Sequence, residues 1–502
     1  MKKHFGKFGI ALVAALLMLL TCALCASAAG TATVVYLSGS GDNTADGLTA
    51  EKAVASINAA YNLLDPNKDC TVVVCGEFLQ KDPFTRVHSA KSITITSVYG
   101  GVDYRDSGAV YKTAKSARFG LADDTTFENI NFESSDGTSF LLVGQHHAVT
   151  IGEGVKMKNF NSKDGNGDAK AFWIVGGCQW GFGGGPTSET YTTDALKALM
   201  QKPTDVTVMS GNDMIVVGGP RGNFGAENNR IQGGDIRVTI GGSAQITKLD
   251  AAGSGSRYTD VGNIKIEVTG GSVTNLYGAR TNNMTAKNFT VLWAGGSISK
   301  FRMMPSGKNE TVGLSMADGG AVTLKAAAAV RTDSNFDAIA ERFGCVECLD
   351  HAFGEWKTTT PAGFGVKGEE KRTCAYCDAF ETREIPAVTA KLEKVSASAL
   401  SDENGIGAIR LIAKLSTTAD AVVTNYGIFV AKTDAIGTAK MVAYTETTER
   451  ETSFALDITE IPHGELDTAI YAWAFATVGG KQIALPILVG ASVNGILTEM
   501  GA

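Results

Sequence analysis

Between Val206 and Phe301 apolar and polar positions alternate in short bursts, and each burst ends on glycine. Val206 to Met209 runs into Ser210-Gly211, Ile236 to Ile240 into Gly241-Gly242-Ser243, Ile264 to Thr269 into Gly270-Gly271-Ser272, and Phe289 to Ala294 into Gly295-Gly296-Ser297. Each turn leads straight into another apolar strand. From the last glycine of one turn to the last glycine of the next, the steps are 31, 29 and 25 residues, a solenoid period with one strand-turn-strand unit per coil. A single coil of this kind cannot bury its apolar face, so neighbouring coils must stack and pair strand on strand. The pattern predicts a mainly β protein built on a parallel β-helix.

Upstream, Thr33 to Leu37 reads as a strand, and Ser38 to Gly47 as turns. Thr49 reads as the cap of a helix carrying Val54, Ile57, Tyr61 and Leu64 on one face. Such a helix would cover the first open edge of the solenoid. Short strands follow at Thr71 to Val74, Ser92 to Thr96, Thr126 to Phe132 and Ala148 to Ile151, with Phe127, Ile130 and Phe132 as core side chains. Between Ser162 and Asp205 the strand rhythm breaks. This insertion holds Trp173, Trp180, Phe182, the run Gly183 to Gly185 and a helical stretch from Asp194 to Gln201, and loops that interrupt a rigid scaffold are where function concentrates. Arg331 to Phe343 reads as a charged, helical linker. Past Val388 the alternation returns, with strands at Ala408 to Leu415, Val422 to Val430, Met441 to Tyr444, Ser453 to Ile458 and Ala469 to Val478. Tyr471, Trp473 and Phe475 fall on one face of the last of these, and Val478 to Lys481 turns the chain back as a hairpin.

Composition adds compartment and class. Lys2, Lys3 and Lys7, the apolar stretch Ile10 to Leu20 and the small residues Ala26-Ser27-Ala28 predict a signal peptide over residues 1–29. The expectation is an extracellular protein, secreted or associated with the cell surface, with no membrane span after signal cleavage. With 59 glycines, 10 prolines and 19% charged residues the chain is turn-rich and folded. A net charge of −7 without basic clusters argues against nucleic acid as a partner. The expected division is a β-helix with an N-terminal capping helix over 30–330, a linker over 331–344, a cysteine-rich module over 345–387 and a β-sandwich over 388–502.

Four stretches carry family resemblances. Tyr36-Leu-Ser-Gly-Ser-Gly-Asp42, Asp46-Gly-Leu-Thr-Ala-Glu-Lys-Ala-Val54 and Ile57-Asn-Ala-Ala60 together resemble the opening of secreted right-handed β-helix proteins of the pectate-lyase-like superfamily. Catalysis of the lyase kind, as that resemblance implies, needs an Arg or Lys base beside acidic calcium ligands on one parallel face. Asp213, Asp235, Asp250 and Asp260 with Arg237, Arg257 and Arg280 are the candidates, yet no local cluster repeats in register. Glycoside hydrolysis would need two carboxylates across one cleft, for which Glu133 with Asp136, or Asp164 with Asp168, are the pairs. Gly270 to Ala279 is similar to glycine-rich surface repeats, with Arg280 standing where a further glycine is expected. Cys345-Val-Glu-Cys348, His351, Trp356, Pro361 and Cys374-Ala-Tyr-Cys377 look like the small cysteine modules of surface proteins in Gram-positive bacteria. In those modules a cysteine usually falls four places into the Pro-initiated segment, and here that place is Phe364. Residues 388–502 resemble immunoglobulin-like or fibronectin-like accessory domains.

Two CxxC pairs suit a tetrahedral structural zinc ion. This makes Cys345, Cys348, Cys374 and Cys377 the metal ligands, with His351 as a substitute, while an oxidising compartment would favour disulfides instead. Of the nine cysteines, Cys22 and Cys25 leave with the signal. Cys70 and Cys75 flank Thr71 to Val74 and lie too far apart in an extended strand to bond each other; with Cys178 they read as buried thiols. His146 and His147, if in a strand, point to opposite faces and cannot share a metal. Trp173, Trp180 and Trp293 could stack on sugar rings, although Trp293 sits within a coil strand. The ligand-binding set is Trp173, Trp180, Phe182 and Arg280. The function expected is binding of a polysaccharide or glycan without turnover. The alternatives are a polysaccharide lyase, with Ca2+, or glycoside hydrolase on the same scaffold, and a structural or adhesive surface protein.

Overall fold

The computed structural model describes residues 30–85, 90–115, 117–161, 170–179, 194–222, 230–254, 259–279, 284–303, 314–363, 365–402, 405–418, 422–432, 440–447 and 451–501. The protein is mainly β and divides into two compact units, Met1–His351 and Ala352–Ala502. A large parallel sheet dominates the first, and antiparallel sheets make up the second. No helix among the described residues is long and apolar enough to cross a membrane.

In the first unit, strands about one coil apart in sequence pair in parallel. Val34–Leu37, Asp69–Val74, Ser92–Thr96, Asp124–Glu128, Val149–Ile151, Thr204–Val208, Ile236–Ile240, Thr259–Tyr277, Met284–Arg302, Val322–Ala326 and Cys345–Cys348 follow one another rung by rung. The repeat read from the glycines is in register: Ile236 opposes Ile264, and Ile264 opposes Phe289. Alternation along each strand sends one set of side chains inward and the next outward. The inward row Val35, Val72, Ile95, Phe127, Ile151, Val208, Ile240, Val268, Trp293, Ala326 continues over ten rungs, all buried. β-Branched and aromatic side chains suit such a pleated, close-packed surface, and each fully buried one contributes roughly 1.5–3 kcal/mol. Trp293 therefore belongs to the core.

The glycine turns show why the repeat needs glycine. Gly271 and Gly296 have φ of 63° and 66°. A Cβ would stand 2.4 Å from the Ala244 carbonyl oxygen at Gly271 and 2.5 Å from the Gly270 backbone at Gly296. Both a left-handed backbone and direct contact with the previous coil exclude a side chain there.

A second parallel ladder runs Pro83–Thr85, Arg118–Gly120, Phe140–Val143, Phe172–Val175, Met214–Val217, Gln245–Asp250 and on into Ser272–Tyr277. Phe172–Val175 lies inside the stretch where the sequence shows a break in rhythm. Its four residues are buried on both faces, so the run has no alternation to read. The helix in that stretch, Asp194–Met200, forms as expected. A third, four-stranded ladder joins Glu77–Gln80, Val110–Thr113, Asn131–Ser134 and Lys156–Lys158.

Both ends of the first unit are packed. Thr49 precedes only a 3-10 turn, Ala50–Lys52, and makes no side-chain cap bond. The helix itself is Ile57–Leu63, capped by Ser56, whose Oγ accepts from Ala59 N at 3.2 Å. A hydroxyl one residue before the apolar stripe is better placed to cap than one eight residues away. Val54, Ile57, Tyr61 and Leu64 are buried in the same core. At the other end, the stretch expected as a linker sends Phe336, Ile339 and Phe343 into that core, and Cys345–Cys348 then adds a parallel strand to Val322–Ala326.

The second unit has a three-stranded antiparallel sheet, Lys357–Thr360, Gly368–Thr373 and Phe380–Ile385. Two further antiparallel sheets share one core. Ala390–Ser401, Gly407–Thr417 and Glu451–Ile461 form one, and Lys440–Thr447, Val423–Ala431, Ile470–Val478 and Lys481–Ala491 the other. The helix Val493–Met500, capped by Ser492, follows.

Candidate functional site

The outward face of the first ladder carries the clearest hollow with converging polar groups. A groove of about 490 Å3 is lined by Asp124, His146, Ala148, Pro203, Thr204, Asp205, Asp235, Ile236, Arg237, Asn263 and Lys265, within the size range of ligand sites. Its charged groups come from successive coils because register aligns them: Asp205 opposes Arg237, and Arg237 opposes Lys265. Two places along the same strands, on the same face, stands a row of threonines. Thr71, Thr94, Thr126, Thr150, Thr207 and Thr239 occupy six consecutive rungs and are all half-buried. Rungs of a sheet lie about 4.8 Å apart, so the row is a regular array of hydroxyls.

His146 sits at one wall of the groove on an unusual turn. Gln145 and His146 both have positive φ, 51° and 67°, a costly conformation for non-glycine residues and one that concentrates at functional sites. The turn is held by His146 N donating to the Gly176 carbonyl at 3.0 Å and His147 N to the Gly144 carbonyl at 2.9 Å. His146 Nδ1 lies 2.9 Å from the Lys202 carbonyl oxygen; a carbonyl only accepts, so Nδ1 carries the proton. Nε2 is shielded from solvent without a hydrogen-bond partner. Burial pushes the imidazole pKa down to about 4, against the pull of the Lys202 and Pro203 carbonyls, and keeps the ring neutral near pH 7. His147, on the same turn, points Nδ1 toward Asp124 Oδ1 at 3.8 Å. The two histidines lie in a left-handed turn, so strand alternation does not govern them.

The cations of the groove are paired with acids on the same and neighbouring rungs. Arg237 Nη2 reaches Glu267 Oε2 at 3.1 Å, and Nη1 reaches Asp205 Oδ2 at 3.7 Å. Lys265 Nζ reaches Glu267 Oε1 at 2.5 Å. Burial alone would raise the Glu267 carboxyl, but Lys265, Arg237 and the Thr239 hydroxyl hold it below its usual value. Asp205 is raised, chiefly by desolvation that Arg237 only partly offsets. Asp235 Oδ1 accepts from Asn263 N at 2.7 Å, and Asp124 Oδ1 accepts from Ala148 N at 2.8 Å.

A second candidate is a cysteine-histidine group. Cys348, His351, Cys374 and Cys377 are a group that could hold a metal ion. Three thiolates and an imidazole are a donor set that fits zinc. Cys345 is exposed, with Sγ 3.8 Å from Glu347 Oε1, and the group that comes together has His351 in its place. A hollow of about 520 Å3 in the second unit, between Val430, Ile458, Ile461, Pro462 and Ile470, is mainly apolar and carries the ion pair Lys432 to Glu465.

The other expected residues are dispersed. Trp173 is buried beside Leu141, Val143, Val175, Ile215 and Val217, with the Arg221 guanidinium 4.4 Å from its ring centre. It offers no open ring to a sugar. Trp180, Phe182, Arg280, Arg257, Asp164, Asp168 and Phe364 lie outside the described residues, as do residues 1–29. Asp260 is paired with Arg230, and Asp250 is buried. Glu133 pairs with Lys158, and Asp136 accepts from Thr138 and Lys115, so this pair serves turns and ladders. Cys70 and Cys178 are buried and Cys75 half-buried; burial pushes the Cys178 thiol up to about 12. Of the groove's residues, Asp235 and Arg237 are among the catalytic candidates that the lyase resemblance implies, whereas Asp124, His146, Asp205 and Lys265 are not. Asp124, Asp205 and Lys265 each stand two places before an outward threonine or Glu267, a signal that the alternation carries; His146 has no such spacing and is placed by its left-handed turn. No family model, curated relative or solved structure matches the chain.

Proposed function

We propose that the chain is an exported, extracellular or cell-surface protein that binds an extended polysaccharide without turning it over. In this reading the parallel ladders are a right-handed β-helix of the pectate-lyase-like kind. The cysteine-histidine group is a zinc-ribbon-like module, and the C-terminal sheets are an immunoglobulin-like or fibronectin-like accessory domain. One observation carries the reading: a polar groove assembled rung by rung, so that a repeating surface faces a repeating ligand. Binding is favoured over turnover because Arg237 and Lys265 are held by carboxylates, which leaves neither of them placed as a proton-accepting base. Retention of the full chain on a panel of insoluble and immobilised glycans, with calcium present and ultraviolet absorbance followed for unsaturated products, tests it. Retention without product is expected. Product formation would replace binding with lyase activity, and loss of retention across the whole panel would leave a structural role.

In the same reading the metal is zinc, with a structural role. Its ligands are Cys348, His351, Cys374 and Cys377. Metal analysis of the purified full chain should find about one zinc per molecule, with Cys374→Ser removing it and Cys345→Ser leaving it bound. A metal-free protein whose thiols have been lost to disulfides would refute this.

A further inference from the structure

We propose that the groove selects an uncharged glycan and rejects polyuronates; this rests on the glycan-binding reading and names its ligand class. Three carboxylates, Asp124, Asp205 and Asp235, face two cations, Arg237 and Lys265. Both cations are already engaged by Glu267, and Arg237 by Asp205 as well. Glu267 is only 16% exposed at its side chain, so the two cations that line the groove converge on a carboxylate beneath them and their charge is already matched.

An incoming uronate carboxylate would meet like charge from the three aspartates, and would have to break existing ion pairs to gain a partner. Like charges a few ångströms apart repel even where water screens them. The histidine does not supply the missing cation, because Nδ1–H is spent on the Lys202 carbonyl and Nε2 is walled off from solvent. What the groove offers is acceptors and hydroxyls. The aspartate oxygens accept, and the threonine row from Thr126 to Thr239 both donates and accepts. A neutral sugar ring presents the complement, several hydroxyls that donate to carboxylates in charge-assisted bonds. Because one threonine recurs on each rung, every added sugar along the row meets the same chemistry as the last.

Isothermal titration of the full chain tests this with defined probes: neutral cello-, xylo- and laminari-oligosaccharides of increasing length, against oligogalacturonates of matching length. A neutral series should bind, with affinity rising up to about fivefold for each added unit. Oligogalacturonate should bind at least about tenfold more weakly, because the repulsion acts at each unit. The double variant Asp124→Asn, Asp205→Asn removes two of the three carboxylates at nearly constant shape. It should weaken the neutral series about tenfold and narrow or reverse the discrimination against oligogalacturonate, with an unchanged melting temperature as the control for folding. Preferential binding of oligogalacturonate by the unmodified chain would overturn the inference while leaving glycan binding standing. Neutral binding that the double variant does not change would remove the groove as the site. Failure of every probe would remove glycan binding itself.

Discussion

The two units solve the same packing problem in opposite ways. In the parallel ladder of the first, bulky residues point inward and small polar ones outward: Phe127 is buried and Thr126 beside it forms part of the outer row. In the antiparallel sheet of the second, the strand Ile470–Val478 reverses the assignment. Ala472, Ala474 and Ala476 belong to the core, while Tyr471, Trp473 and Phe475 take the other face, where Tyr471 stacks on Trp473 at 6.3 Å and Phe429 covers Phe475 at 4.4 Å. Alternation of period two thus reports that a strand exists without reporting which face is the interior. Large side chains fill a column whose neighbours repeat the same shape. Small ones let two sheets with Leu411 and Ile428 between them close to interior density.

The sharpest way to break this contrast is to truncate an inward residue of each kind. Phe127→Ala should cost about 3–5 kcal/mol in urea unfolding of the first unit's transition, because the neighbouring rungs are fixed by register and cannot collapse into the gap. Gly271→Ala comes next, at about 3 kcal/mol, since it adds both a left-handed penalty and the approach to the Ala244 carbonyl; an effect below about 1 kcal/mol would mean the turn re-forms with another backbone.

Acid follows. The folded-state pKa of His146 is depressed from 6.5 to about 4, so its contribution is present above the unfolded value and is lost as pH falls from about 6.5 toward 4. The loss is on the order of 3 kcal/mol, read as a melting temperature that declines over that window. His146→Gln should flatten the decline. Asp205 works in the opposite sense: raised in the fold, it favours folding below its unfolded pKa and gives that up as pH climbs through the folded value. Smallest should be Trp473→Ala, about 1 kcal/mol, because the side chain is half-buried and mainly loses its stacking partner. A cost near that of Phe127→Ala would show that the outer aromatic face of the second unit is covered as firmly as a core.

Much of the first unit was legible in its sequence, and the reason is repetition. The turn glycines and the β-branched runs before them repeat at nearly equal spacing, so Ile236, Ile264 and Phe289 could be aligned before any coordinates. Phe172–Val175 escaped because a strand buried on both faces has no alternation. The capping role passed from Thr49 to Ser56 because helix starts are set by local geometry that periodicity does not encode. Phe336, Ile339 and Phe343 looked like a linker since three apolar positions among charges are also what an exposed helix carries. At the candidate site the position is different. Asp124, His146, Asp205 and Lys265 are drawn from four coils, and nothing in linear spacing joins them until the register is known. His146 needed a backbone fact, its left-handed φ, and the partner of Cys348 in the metal-capable group turned out to be His351, three residues on, instead of Cys345, three residues back.

The rung-by-rung register also sets how the first unit should respond to mechanical load. Each strand of the parallel ladder is zipped to the next, so tension on the chain at one end would peel strands singly instead of shearing the whole sheet. With steps of 31, 29 and 25 residues between successive turn glycines in the regular part, each peeled repeat would release about 100 Å of contour. A pulled molecule should therefore yield a staircase of nearly equal extensions.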